Sequence, residues 1–351
     1  MGITYMQNGN PFGSHRVIEP KGVLPQPAEK LNNDVETLWD NEILVDVETL
    51  NIDSASFTQI EEEAGHDEAT IGEIILRTVD TRGKQHNPVT GSGGMFIGTV
   101  DEIGEKLKDR RDLKPGDTIV SLVSLSLTPL KIDEILEVKP DIDQVRVKAK
   151  AILFESGIYA KMPDDFPAPL ALAVLDVCGA PAQTAKLVRP GDTVVIIGAG
   201  GKSGILCAYE AKKRAGITGR VIGMGRTEKG LENLKSLGLC DHVITMSAQD
   251  ALACYETVSD LTEGRMADLV INCVNIPNTE LGSILMCRDR GVIYFFSMAT
   301  SFTKAALGAE GVGKDVEMII GNGYTKDHAE IALNVLRESK DIRNLFGAIY
   351  C

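Results

Sequence analysis

Apolar residues change their spacing about halfway along the 351-residue chain. Before residue 170, segments such as EILVDVETLNI (Glu42–Ile52) and VRVKAKAIL (145–153) alternate apolar and polar residues, as half-buried strands do. Another strand is predicted from about Met95 to Ile103. The charged stretch 61–83 predicts one helix that ends at Gly83.

After Ala168 the pattern becomes a repeat of apolar runs and amphipathic stretches. Six runs, from TVVIIG to VEMIIG, are apolar almost throughout, which is typical of parallel strands buried on both faces. We therefore predict an α/β protein with a doubly wound, six-stranded parallel sheet of the dinucleotide-binding (Rossmann) type. The final segment 328–350 predicts one helix and a last strand.

Composition narrows the class of protein. The length favours two domains. The net charge of −14 opposes binding to nucleic acid or an anionic membrane. The N-terminus lacks the apolar core of a secretion signal, and no apolar run reaches spanning length. Seven cysteines without a CxxC pair indicate reduced thiols and a cytoplasmic location.

A glycine cluster follows the first apolar run, in VVIIGAGGKSG (194–204). Gly198 and Gly200 begin a G-x-G motif, but its sixth position is not glycine. Ala199, Gly201 and Gly204 give A-x-G-x-x-G, in which Gly201 lets a pyrophosphate approach the start of a helix. The cofactor-binding residues predicted here are Ala199, Gly200, Gly201, Lys202, Ser203 and Gly204. The alternative is a tight turn without a ligand.

The second strand does not end in the acid that usually binds the ribose of NAD. Gly225 occupies that place, Arg226 follows it, and Glu228 is expected to begin the next helix. Arg226 favours a 2′-phosphate, so these residues alone indicate NADP or relaxed specificity. Loops after later strands are predicted to flank the nicotinamide, through Val274, Asn275, Ile276, Ser297 and Met298.

The order of these segments resembles the medium-chain dehydrogenase/reductase superfamily, notably in GGMFIGTVDEIGEKL and LKPGDTIV. The resemblance implies a GroES-like catalytic domain, 1–175 plus 322–351, and a Rossmann domain, 176–321. It also implies where a catalytic zinc would be bound. Asp53 and Cys178 stand at two ligand positions, but Gly94–Met95, or Gly93–Gly94, replaces the histidine, so we predict no metal.

Several unusual stretches resemble a narrower, zinc-free family, the L-erythro-3,5-diaminohexanoate dehydrogenases. They are PFGSHRVIEPKGVLPQPA, NIDSASFTQI, GKQHNPVTGSGGMFIGTV and CGAPAQTAKLV. The resemblance implies NAD-linked oxidative deamination of that diamino acid in lysine fermentation, with NAD preferred over NADP. It also implies a homodimer or larger homo-oligomer. We expect the apolar GVIYFFSM near the sheet edge to pair with its copy.

Amine oxidation without a metal needs side chains that move protons. Asp53 is the first candidate, although an acid there is also expected to cap the following turn. His86 is the second candidate. Ser54, Ser56 and Ser92 are candidates for orienting the substrate, and Cys178 is expected as a small apolar contact. Arg16, Lys84 and Lys304 remain alternatives for the substrate carboxylate.

Two other functions fit parts of the sequence. A zinc-free NADPH-dependent quinone or enone reductase shares the fold and suits Arg226. A nucleotide-binding protein without turnover is a third possibility, which the polar residues around Asp53 disfavour.

Overall fold

The computed structural model describes residues 2–87, 91, 93–109, 112–321 and 323–351. The contacts divide the chain into two compact units, Met1–Asp164 and Asp165–Cys351. Each unit has its own six-stranded sheet, and these sheets differ in strand direction.

The first unit is built around an antiparallel sheet with the order β10-β7-β6-β5-β9-β8. Its elements are β1 (Thr4–Met6), β2 (Val17–Glu19), β3 (Lys30–Leu31), β4 (Thr37–Trp39), β5 (Glu42–Asn51), α1 (Ser54–Glu63), α2 (Glu68–Arg82), β6 (Met95–Ile103), β7 (Thr118–Ser121), β8 (Leu130–Lys139), β9 (Gln144–Phe154) and β10 (Tyr159–Lys161). The strands predicted at 42–52 and 95–103 are confirmed.

Two helices replace the single helix predicted over 61–83. Gly65 and His66 both have left-handed backbone conformations, which end α1 and turn the chain. Asp53 caps α1 and Asp67 caps α2, each by accepting a hydrogen bond from a backbone N–H three residues later. The predicted end at Gly83 is confirmed, since Gly83 is the left-handed C-cap of α2.

The second unit contains the predicted doubly wound sheet. Its elements are α3 (Ala168–Leu175), α4 (Gly179–Leu187), β11 (Thr193–Ile197), α5 (Lys202–Ala215), β12 (Arg220–Gly225), α6 (Glu228–Leu237), β13 (His242–Thr245), α7 (Ala251–Thr262), β14 (Ala267–Asn272), α8 (Glu280–Met286), β15 (Cys287–Phe295), α9 (Phe302–Val312), β16 (Glu317–Ile320), α10 (His328–Glu338) and α11 (Lys340–Tyr350). Six parallel strands run in the order β13-β12-β11-β14-β15-β16. This order reverses beside β11, which places a crevice at the carboxyl ends of β11 and β14.

The strand expected to lie near the sheet edge is an interior strand. β15 pairs with β14 on one side and with β16 on the other, so the edge belongs to β16. Because its ladder is already filled on both sides, β15 cannot pair with a second copy of itself.

The C-terminal segment forms two helices, and the predicted last strand is wrong. Ile342 and Phe346 are four residues apart and both are buried, so they lie on one face of α11. The helices α10 and α11 pack against α3, α4, α5 and α6. Residues from 323 onward are therefore part of the second unit. The sequence-based boundaries had assigned 322–351 to the first domain.

Within the described residues, no single helix is both long and apolar enough to cross a membrane; the bent pair α3 and α4 reaches that length and hydropathy only when taken together. All seven cysteines are free thiols.

Candidate active site

The turn Gly198–Gly204, here called the glycine turn, joins β11 to α5 in the second unit. Gly198 has a left-handed φ of 80°. A Cβ added to Gly200 would lie 1.8 Å from the carbonyl oxygen of Gly230, and one added to Gly204 would lie 2.2 Å from the carbonyl oxygen of Gly198. Internal contacts therefore explain three of the four glycines.

Gly201 differs from its neighbours. Its φ of −81° and ψ of 171° suit any residue, and an added Cβ would meet nothing closer than 3.5 Å. It is the N-cap of α5 and supplies no side-chain hydrogen bond to the first turn. The N–H groups of that turn are thus open to an anion, and the space beside Gly201 is open to a ligand.

The side chain of Leu231 crowds the place where a ribose-binding acid would begin at the end of β12. A Cβ on Gly225 would lie 2.8 Å from Leu231 Cδ2, so a side chain here requires Leu231 to move. Glu228 begins α6 and pairs with Lys235 and Thr245. Arg226 is exposed and makes no hydrogen bond or ion pair with the described residues.

The loop after β14 is held by a residue that the sequence did not single out. Asn272 is fully buried, and its Nδ2 donates to Thr279 Oγ1 at 2.8 Å and to Ser283 Oγ at 3.1 Å. Its Oδ1 accepts from the N–H of Val274 at 3.2 Å. Asn272 thereby fixes the start of the predicted nicotinamide loop.

The other predicted cofactor residues of this unit lie at the same edge of the sheet. Ser297 is buried, while Met298 is 75% exposed. Asn275 is exposed, and Ile276 is half-buried. Lys202 is already engaged, because its Nζ lies 2.7 Å from Asp176 Oδ2.

Asp53, in the first unit, is the N-cap of α1. Its Oδ1 accepts from the N–H of Ser56 at 3.1 Å, and its Oδ2 accepts from Ser56 Oγ at 2.6 Å. The capping role that the sequence left open is therefore present. Asp67 makes the same two contacts with Thr70 at the start of α2, at 2.8 Å and 2.6 Å.

Ser56 connects Asp53 to the segment that contains His86. Its Oγ accepts from Asn87 Nδ2 at 3.0 Å, and both residues are buried. Ser56 and residues 85–87 line a cavity of about 170 Å³ between α1 and α2, here called the α1–α2 cavity. The structure thus brings Asp53, Ser56 and the His86 segment together, and only Asp53 does not line the cavity.

His86 has the properties of a neutral proton acceptor. Its Nδ1 is buried and has no hydrogen-bond partner among the described residues. Burial lowers the pKa of His86 below its usual range, and the nearby charges of Lys84 and Arg82 lower it further. The imidazole is therefore neutral at neutral pH.

Backbone atoms block the position of the missing zinc-ligand histidine. Gly93 and Gly94, here called the glycine pair, leave no room for a side chain, since a Cβ on Gly94 would lie 2.1 Å from the carbonyl oxygen of Asn51. Cys178 lies in the second unit, is buried, and has its thiol pKa raised to about 12 by burial. Among the described residues, no three His, Cys, Asp or Glu side chains form a group suited to a metal.

All three basic candidates for the substrate carboxylate already have hydrogen-bond partners. Arg16 is buried, and its Nε and Nη2 donate to the two oxygens of Glu42 at 2.8 and 2.6 Å. Lys84 is buried and donates to the carbonyls of Pro25 and Gln26, with its pKa lowered to about 8 by burial and Arg82. Lys304 contacts Asn278 in the second unit.

Sequence reasoning missed several residues of the α1–α2 cavity. Gln85 and Asn87 flank His86 in a run of three polar residues, which was a visible indication. Arg82 belongs to the last turn of a charged helix, and nothing in the sequence separates it from other helix arginines. Ser92 lies outside the described residues, and Ser54 is described only as the first residue of α1.

Comparison with known proteins identifies the family. The chain is 64% identical to L-erythro-3,5-diaminohexanoate dehydrogenase of Acetoanaerobium sticklandii over 97% of its own length and 99% of the relative. It is 58% identical to the enzyme of that name from Fusobacterium nucleatum, over 98% and 100%. The chain belongs to this family.

Two domain models agree with the family. Residues 15–163 match the L-erythro-3,5-diaminohexanoate dehydrogenase N-terminal domain, and residues 204–323 match a domain described as zinc-binding dehydrogenase. Solved structures share the fold. The CurK enoyl reductase has a TM-score of 0.54 at 15% identity, covering 85% of this chain and 79% of that one. A Pseudomonas syringae quinone oxidoreductase has 0.52 at 16%, covering 85% and 79%.

Proposed function

We propose that this chain catalyses the NAD-dependent oxidative deamination of L-erythro-3,5-diaminohexanoate in lysine fermentation. The reaction converts the C3 ammonium compound, NAD⁺ and water into 5-amino-3-oxohexanoate, NADH, an ammonium ion and a proton. The observation that supports it most is near-full-length identity above one half with two enzymes of that name. A quinone or enone reductase is not favoured, because those neighbours share only the fold.

The residues of the glycine turn fit a dinucleotide. The open space beside Gly201 and the uncapped first turn of α5 suit a pyrophosphate. When bound, the nicotinamide supplies the hydride acceptor. We propose NAD as the physiological cofactor by analogy with the family, although the exposed Arg226 would also tolerate a 2′-phosphate.

We propose His86 as the group that accepts the proton of the reacting ammonium. An ammonium nitrogen has no lone pair, so it must lose a proton before its carbon can release hydride. His86 lines the α1–α2 cavity, and its neutral imidazole with an unpaired Nδ1 is suited to this step. His86 can later protonate the leaving nitrogen, after water has added to the iminium carbon.

Asp53 acts through Ser56 in this proposal. Its carboxylate orients the Ser56 hydroxyl, and that hydroxyl accepts from Asn87 beside His86. Asp53 is thus a positioning residue for the segment that contains His86. We further propose that the enzyme functions without a metal, in the cytoplasm, and as a homo-oligomer joined at the β16 edge.

The test is the pH dependence of His86→Gln with the diamino acid and NAD. Near neutral pH the variant should lose about two to four powers of ten in kcat/KM, the usual contribution of a positioned acid–base group. The loss should shrink toward pH 10, because a free aliphatic amine has a pKa near 10.4 and needs no base above it.

The low pKa of His86 also fixes the acid side of the profile. Because the folded enzyme holds this imidazole neutral, the acid limb due to His86 should lie below pH 6.5. A loss in His86→Gln that is equal at all pH values would remove His86 from proton transfer. If the protein reduced quinones but formed no NADH from the diamino acid, the proposed reaction would be wrong and quinone reduction would be the activity.

A further inference from the structure

Two residues that line the α1–α2 cavity each have a buried side-chain atom without a hydrogen-bond partner among the described residues. The Gln85 side chain is 1% exposed, and its Oε1 has no partner among the described residues. The second atom is Nδ1 of His86, which is an acceptor when the ring proton is on Nε2. A buried acceptor without a donor costs about 1–3 kcal/mol. The cavity is therefore suited to a ligand that brings N–H groups.

The same cavity has one cation without a partner. Arg77 pairs with Glu63 at 3.1 Å, whereas the guanidinium of Arg82 makes no hydrogen bond or ion pair with the described residues. Arg82 is half-buried on the last turn of α2, and its charge acts on His86. A guanidinium so placed can bind a carboxylate through two parallel hydrogen bonds.

The proposed substrate needs this combination of groups. In 3,5-diaminohexanoate, the carboxylate carbon and the C5 carbon with its spare ammonium are each two carbons from the reacting C3. A pocket that recognises the molecule must offer a cation and a hydrogen-bond acceptor close to the group that meets the C3 amine. Arg82, Gln85 and His86 provide these three on one cavity.

We propose that the α1–α2 cavity is the specificity pocket for the two ends of the substrate. Arg82 binds the carboxylate, and Gln85 Oε1 accepts an N–H from the C5 ammonium while His86 meets the C3 amine. The assignment rests on the proposed function, which supplies the substrate.

Truncated substrates test each contact separately. With Arg82→Gln, kcat/KM for the diamino acid should fall about ten- to a hundredfold, mainly through KM, as expected for a hydrogen bond to a charged group. At a pH where His86 is neutral in both proteins, the variant should match the wild type on 2,4-diaminopentane, which lacks the carboxylate. Arg146→Gln is the matched control, since Arg146 is an exposed arginine of the same unit paired with Glu137.

Gln85 is tested with 3-aminohexanoate, which lacks the C5 amine. Gln85→Leu should lose a similar factor on the diamino acid and nothing on 3-aminohexanoate. Gln85→Glu keeps an acceptor oxygen and should retain or improve the KM for the diamino acid.

Two results would overturn the pocket assignment. One is an equal loss on full and truncated substrates, and the other is no loss on either. If the wild type forms no NADH from the diamino acid, the proposed function fails by itself. Calorimetric titration of the diamino acid into wild type and Arg82→Gln still tests the pocket, because binding weakened tenfold or more in the variant supports it and equal binding contradicts it. Unchanged melting temperatures exclude unfolding as the cause.

Discussion

The glycine turn of the second unit and the glycine pair of the first unit place the same residue type under different constraints. In the glycine pair, backbone atoms lie where any side chain would begin, at 2.1 Å for Gly94 and 2.5 Å for Gly93. In the glycine turn, Gly200 and Gly204 are closed in the same way, but Gly201 faces open space. A glycine that the fold does not require is therefore the better indicator of a ligand.

The largest effect is expected at Gly94. Gly94→Ala should lower the free energy of unfolding by at least about 3 kcal/mol, since a left-handed residue is strained and its Cβ meets Asn51. Gly91→Ala is the control, because Gly91 is also left-handed but has open space around it. Denaturant unfolding measures both. Equal stability of the two variants would show that the contact with Asn51 is not restrictive.

The glycine turn should separate folding from binding. Gly201→Val should keep the melting temperature but weaken NAD binding about a hundredfold or more, because the side chain enters the space of the pyrophosphate. Gly200→Ala should instead lower the melting temperature, since its Cβ would lie 1.8 Å from the Gly230 carbonyl. Fluorescence titration with NADH and a thermal melt measure these outcomes. Undiminished NADH affinity in Gly201→Val would contradict the A-x-G-x-x-G interpretation.

The smallest effects are expected at two helix caps of the first unit. Asp53→Ala and Asp67→Ala should each destabilise the protein by about 1 kcal/mol, because each removes the same pair of capping hydrogen bonds. Only the Asp53 variant should also reduce kcat, because its partner Ser56 accepts a hydrogen bond from Asn87 beside His86. Unfolding curves and kcat at saturating substrate distinguish the two. Equal kcat in both variants would show that Asp53 only caps α1 and does not position the His86 segment.

The second unit was predictable because its strands are buried on both faces. Such strands are apolar throughout, and the glycine turn is a local motif that short-range reasoning can recognise. The C-terminal strand was predicted wrongly, because a run such as IRNLFGAIY (342–350), with its β-branched and aromatic residues, suits either structure. The segment is a helix in which Ile342 and Phe346 are both buried. Their burial depends on residues distant in the sequence, so the local pattern could not predict it.

The candidate site of the first unit was predicted only in part. Asp53, Ser56 and His86 could be proposed from their surroundings in the sequence, but the direction of the contacts could not. Arg82 and Gln85 become notable only when α1 and α2 pack together and enclose a cavity. Whether a buried acceptor lacks a donor is likewise a property of three-dimensional neighbours.

The packing of Leu231 against Gly225 sets a condition for anyone who redesigns the coenzyme preference. Introducing the acid that commonly grips the adenosine ribose would put its Cβ 2.8 Å from Leu231 Cδ2. A single Gly225→Asp exchange would thus require the buried side chain of Leu231 to shift. Changing residues 225 and 231 together would give the acid more room than a library that varies one position at a time.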